Sequence, residues 1–173
     1  VLRADIGLLL GQRNSLSTTL QQCAATIVDR LAVTIVRIWC YDEAQRHLAL
    51  QASIGVHTEL TEKYHVVPLG ESLIGRIAQE RQSYLTNAVL ADPFLTEKAW
   101  AEREGIVAFA GYPLIIEERM VGVMVLFSRA SLSQTIFEDL SAVAGGIAQL
   151  IERKRTEEAL TLSEEKLRLA IEG

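Results

Sequence analysis

Two apolar runs dominate the second half of the chain. Ile106–Ile116 and Met120–Phe127 are crowded with β-branched residues and separated by the polar break Glu117-Glu118-Arg119, a pattern that predicts an antiparallel hairpin. Apolar side chains fall on both pleat faces, so this hairpin is expected to be the middle of a sheet, covered above and below. A second hairpin is predicted upstream, where TIVRIWCYDE from Thr34 is answered by the alternating HLALQASI of His47–Ile54. Along its first strand Val36, Ile38 and Cys40 share one face and Arg37, Trp39 and Tyr41 the other. The apolar face suits helix packing; the mixed face, a cation between two rings, suits a polar cavity.

Helical periods bracket the strands. A mostly apolar stretch over residues 1–10 meets Gly11, and Asn14-Ser15 then offer a cap. Leu16, Leu20, Cys23, Ala24, Ile27 and Leu31 follow at three- and four-residue intervals, predicting a helix of about four turns. Further on, His57–Tyr64 is expected to form a short helical turn, and Ser72 to cap a short amphipathic helix carrying Leu73, Ile74 and Ile77. Ser83–Thr86 and Ala88–Leu90 read as short extended pieces, and Leu95–Arg103 as a short helix carrying Trp100. Between Asn87 and Gly105 the core pattern is thin, as expected of a lid wrapped over one sheet face. Leu132-Ser133 precede a last helix with the heptad seam Ile136, Leu140, Val143, Ile147 and Leu150. After the charged run Glu152–Glu158 the stripe resumes as Leu160, Leu167 and Ala170 with shifted phase. A helix that stays apolar beyond its own sheet needs a partner, and a second copy of the chain is the expectation.

Composition narrows the partners. With 173 residues, 49% of them hydrophobic, the chain can bury one ordinary core. A formal charge of -5 provides no basic field for nucleic acid or anionic lipid. No apolar run approaches the ~20 residues of a membrane span and no signal peptide opens the sequence, so a cytoplasmic location without membrane contact is expected. The two cysteines, Cys23 and Cys40, lack metal-type spacing and read as small buried hydrophobes. The chain begins without methionine and stops inside a helical pattern, as expected of a segment of a longer protein.

Catalytic and metal chemistry find little support. In Gly70-Glu71-Ser72-Leu73-Ile74-Gly75, Arg76-Ile77 follows where a phosphate loop requires Lys and then Ser or Thr. His47, His57 and His65 have no compact ligand spacing, so no metal is expected. No serine sits in a nucleophile elbow, and both cysteines lie on apolar stripes, where a reactive thiolate is disfavoured.

The order of several short motifs is more informative than any one of them. Arg37-Ile38-Trp39 with Asp42-Glu43, Pro68-Leu69-Gly70-Glu71, Ile74-Gly75-Arg76-Ile77-Ala78, Leu85-Thr86-Asn87 and Gly111-Tyr112-Pro113-Leu114 together resemble a GAF domain, the small sensory module of signalling proteins, of the kind found in bacterial sensor histidine kinases. The resemblance implies an α+β fold, GAF-like and PAS-related: an antiparallel β-sheet with N- and C-terminal helices on one face and a lidded pocket on the other. It divides the chain into a helical lead-in (1–14), a GAF domain (15–151) and a signalling helix (152–173) leading toward a PAS domain. It also implies a homodimer through the terminal helices and a possible small-molecule effector. No bilin is expected, because Cys40 is the last cysteine and the segments that would wall the pocket contain none. The same lack departs from GAF-fold methionine sulfoxide reductases, and the nucleotide-binding set of the phosphodiesterases cannot be placed.

Arg37, Trp39, Trp100, Phe109 and Tyr112 are the candidate pocket lining, since rings with one guanidinium can sandwich a small planar or anionic molecule. Asn87 is the candidate lid hydrogen-bonder. The expected role is a non-catalytic sensing and dimerisation module. The alternatives are a dimerisation spacer that binds nothing and a GAF-fold enzyme acting on a free metabolite.

Overall fold

The computed structural model describes residues 2–11, 14–55 and 63–172. The expected helical turn at His57–Tyr64 therefore lies outside the described residues except for its last two. In chain order the elements are α1 (Leu2–Leu10), α2 (Leu16–Leu31), β1 (Ile35–Asp42), β2 (His47–Gly55), β3 (Val66–Pro68), α3 (Ser72–Glu80), β4 (Tyr84–Thr86), a 3-10 turn (Val89–Ala91), α4 (Lys98–Arg103), β5 (Ala108–Ile116), β6 (Arg119–Ser128) and α5 (Gln134–Glu172).

The strands form one six-stranded sheet in the order β3-β2-β1-β6-β5-β4, and every pairing is antiparallel. The β5-β6 hairpin closes through Glu117 and Glu118, since Ile116 pairs with Arg119. Both loop residues carry positive φ, 49° and 71°, the geometry of a turn that matches strand twist but favours Asn and Gly.

Alternation along the strands divides the core in two. Val36, Ile38 and Cys40 of β1 face a cluster built with Leu20, Cys23 and Ile27 of α2 and Leu140, Val143 and Ile147 of α5. Ile35 and Trp39, with Val123, Val125 and Phe127 of β6, face α3 and the segment around α4. The helix side is closed by α1, α2 and α5; the opposite side is covered by short helices and loops.

Local capping follows the side-chain chemistry. Ser15 Oγ accepts from Thr18 N at 3.2 Å, and Ser133 Oγ accepts from Ile136 N at 3.1 Å. At α3 the residue before the helix, Glu71, makes no side-chain bond; Ser72 adopts φ 60° and its Oγ accepts from Gly75 N at a longer 3.4 Å. The entry to α3 is pressed against the chain before it, and a Cβ on Gly75 would lie 2.5 Å from the Pro68 carbonyl oxygen. The expected extended piece at Ala88–Leu90 is instead a 3-10 turn over Val89–Ala91.

α5 is unbroken for 39 residues. Its first half buries Leu140, Val143, Ala144, Ile147 and Ile151; from Thr156 through Glu172 every residue is exposed. No helix among the described residues is long and apolar enough to cross a membrane.

Candidate functional site

On the sheet face away from the terminal helices, β1 presents Arg37 and Trp39, β5 presents Phe109 and β6 presents Phe127. Phe109 and Phe127 are register partners, and their rings meet at 5.1 Å. α4 lays Trp100 edge-on against Phe127 at 5.3 Å. The gap these groups leave, bordered by Phe94, Leu95 and the first turn of α3 and partly open, holds about 30 Å³, room for a very small group or a few waters. The cavity is present but small, because aromatic side chains fill most of the space between sheet and lid.

Its polar lining is Arg37, Tyr64, Ser72, Thr96, Glu97 and Trp100. Arg37, 2% exposed, donates from Nε to Ser53 Oγ at 3.3 Å, and burial pushes its pKa down from the usual arginine value. The indole N–H of Trp100 is buried and meets no acceptor among the described residues, which is uncommon for a group that normally finds one. Ser72, Leu73 and Ile74, the first turn of α3, also line the cavity.

A polar latch closes the lid. Lys63 pairs with Glu97, and the Tyr64 hydroxyl lies 3.1 Å from Thr96 Oγ1 and donates to Glu97 Oε1 at 3.2 Å. The Lys63 ammonium holds the Glu97 carboxyl below the usual carboxylate range. The Tyr64 carbonyl accepts the Trp39 indole N–H at 2.8 Å, so the latch is anchored to β1 beneath it.

Arg37, Trp100 and Phe109 therefore converge, while the other three candidates do not join them at the cavity. Trp39 shares the face but lies fully buried beneath it, committed to Tyr64. Tyr112 is on the opposite face, ring against ring with Phe137 and its hydroxyl donating to the Phe137 carbonyl at 3.0 Å. Residues 109 and 112 differ by three, and an unbroken strand sends such a pair to opposite faces. Asn87 is a structural clasp: its amide donates to Leu132 O at 3.0 Å and accepts from Leu132 N at 2.8 Å, tying β4 to the approach of α5. Asp92 likewise serves its own turn, accepting from Phe94 N at 2.9 Å and from the Tyr84 hydroxyl. Phe127, Phe94, Leu95 and the first turn of α3 line the cavity without being among the candidates; for Phe127, parity with Val123 and Val125 places it on this face.

A larger groove of about 490 Å³ opens where α5 leaves the sheet, but its arginines are engaged. Arg81 donates to Glu118 O, Arg119 pairs with Glu152, and Arg155 donates to Tyr41 O. Cys23 and Cys40 are buried on the helix side, each pushed up to about 11 by desolvation. Among the described residues no group of three or more His, Cys, Asp or Glu could hold a metal.

A family model described as a GAF domain matches residues 13–152. The chain belongs to the GAF domain family, whose members generally sense or regulate. The fold agrees with solved GAF structures. The GAF domain from a phosphoenolpyruvate-protein phosphotransferase of Coxiella burnetii superposes with TM-score 0.79 at 18% identity, covering 91% of this chain and 94% of that one. The free methionine-R-sulfoxide reductase from Neisseria meningitidis, solved with its substrate, gives 0.76 at 19% identity over 91% and 89%. Residues 122 to 287 of a methyl-accepting chemotaxis protein give 0.70 at 21% identity over 92% and 99%. These likenesses establish the fold alone. No curated protein matches the chain.

Proposed function

We propose that this GAF domain is a non-catalytic sensory and dimerisation module of a bacterial signal-transduction protein of the sensor histidine kinase type, working in the cytoplasm. The observation that carries the reading is α5. The same helix packs on the sheet through Ile147 and Ile151 and then runs on, exposed, with Leu160, Leu167 and Ile171 at 59%, 64% and 77% exposure. A second copy pairing along that stripe would bury it and form a coiled coil continuous with the domain. An effector between Arg37, Trp100 and Phe109 that favours one packing of the sheet against its helices would then shift the helix pair, provided it binds the two packings unequally.

A second reading, a dimerisation spacer that takes no ligand, is favoured by the 30 Å³ left at the cavity. An enzyme of the sulfoxide reductase kind has less support, because both cysteines face the helices and no sulfur lines the cavity. Native mass spectrometry of the protein purified from its own host tests both parts. The sensory reading expects a dimer mass plus a retained small molecule. A dimer that retains nothing, and whose stability no small molecule alters, supports the spacer. A strict monomer at high concentration refutes the dimerisation module.

A further inference from the structure

We propose that the cavity between β5, β6 and α4 is a site for a small monovalent oxyanion, of the size of formate, acetate or nitrate; this rests on the reading of that cavity as the effector site. Three independent features converge there. Trp100 is 5% exposed, and its indole N–H has no acceptor among the described residues. A buried donor of this kind costs free energy unless something accepts from it. Ser72, Leu73 and Ile74, the first turn of α3, line the same space; Ser72 Oγ takes only the Gly75 amide and Glu71 supplies no cap, and α3 spans nine residues, enough for its earlier amides to present partial positive charge. Arg37 contributes a buried cation on the third side. Glu97, the carboxylate that also lines the cavity, is paired with Lys63, whose cation offsets its negative charge.

Size selects within the anions. A volume of about 30 Å³ favours a group of a few heavy atoms over a nucleotide or sugar, for which the lining side chains would have to move apart.

The test is thermal unfolding of the 173-residue protein in sodium formate, acetate and nitrate at fixed ionic strength, with sodium chloride as reference and acetamide and urea as neutral analogues. The midpoint is expected to rise in a saturating way with the oxyanions and to stay level with chloride and the neutral compounds. Saturation by formate and acetate alone identifies a carboxylate; saturation by nitrate as well identifies selection by charge and shape. Trp100→Phe keeps the ring and removes the donor, and is expected to weaken binding about tenfold or more, as for loss of a hydrogen bond to a charged group. Equal midpoints in oxyanion and chloride, or binding indifferent to Trp100→Phe, overturn the proposal. Saturation by acetamide or urea in place of the anions also overturns it, yet leaves the effector reading intact.

Discussion

The exposed end of α5 makes a quantitative demand on the proposed dimer. Leu160 and Leu167 lie seven residues apart on one side of the helix, at 59% and 64% exposure. Fully burying a leucine is worth about 1.5–3 kcal/mol, so covering the exposed part contributes ~1–2 kcal/mol per residue. Two leucines on each of two chains then supply ~4–7 kcal/mol, or roughly three to five decades in dissociation constant. The double variant Leu160→Gln with Leu167→Gln retains good helix formers of similar size and removes the apolar seam. Sedimentation equilibrium across micromolar to sub-millimolar protein is expected to find a dimer for the parent and a monomer for the variant, with unchanged helix content by circular dichroism. Leu162 and Leu169, two positions further along and therefore about 200° around the helix, are the control: their double Gln variant is expected to remain dimeric. A parent that is monomeric throughout, or a Leu160/Leu167 variant that dimerises as tightly as the parent, refutes the reasoning.

Both cysteines are buried and pushed up to about 11, so little thiolate is present at pH 8; a thiol reagent should modify neither in the folded protein and both after unfolding. Replacing Glu117 by Asn and Glu118 by Gly relaxes two positive-φ positions and should stabilise the protein by about 1–2 kcal/mol in denaturant titration, whereas no change would mean the turn costs nothing. Tyr112→Phe removes the hydrogen bond to Phe137 and should lower stability by about 1 kcal/mol without altering effector binding, because its ring lies on the helix side; weakened binding would contradict that placement.

The two-faced sheet was legible because strand parity is a local rule. Val36, Ile38 and Cys40 against Arg37 and Trp39 could be separated by counting, and the central hairpin declared itself through β-branched runs on both faces. The same rule, applied between Phe109 and Tyr112, would have removed Tyr112 from the pocket; its ring chemistry outweighed its parity. Phe127 needed register as well as parity, since only pairing with Phe109 brings it to the cavity. Local side-chain chemistry anticipates the bond from Gly75 N to Ser72 Oγ but not the role of Asn87, which the structure assigns to a long-range clasp on Leu132. Cavity size was not legible at all, since it depends on how Trp100, on a six-residue helix, seats against rings contributed by two strands.

The proposed effector face is the one carrying Arg37, Phe109 and Trp100, opposite the terminal helices. The protein has two tryptophans, so a nitrogen-proton correlation spectrum carries one indole N–H signal for each. Titration with a small oxyanion is predicted to move the Trp100 signal strongly, the Trp39 signal little, and the backbone amides around Tyr112 and Phe137 hardly at all. Large shifts confined to Tyr112, Phe137 and α2, with the Trp100 indole unmoved, would place the effector on the other side of the sheet and contradict the account.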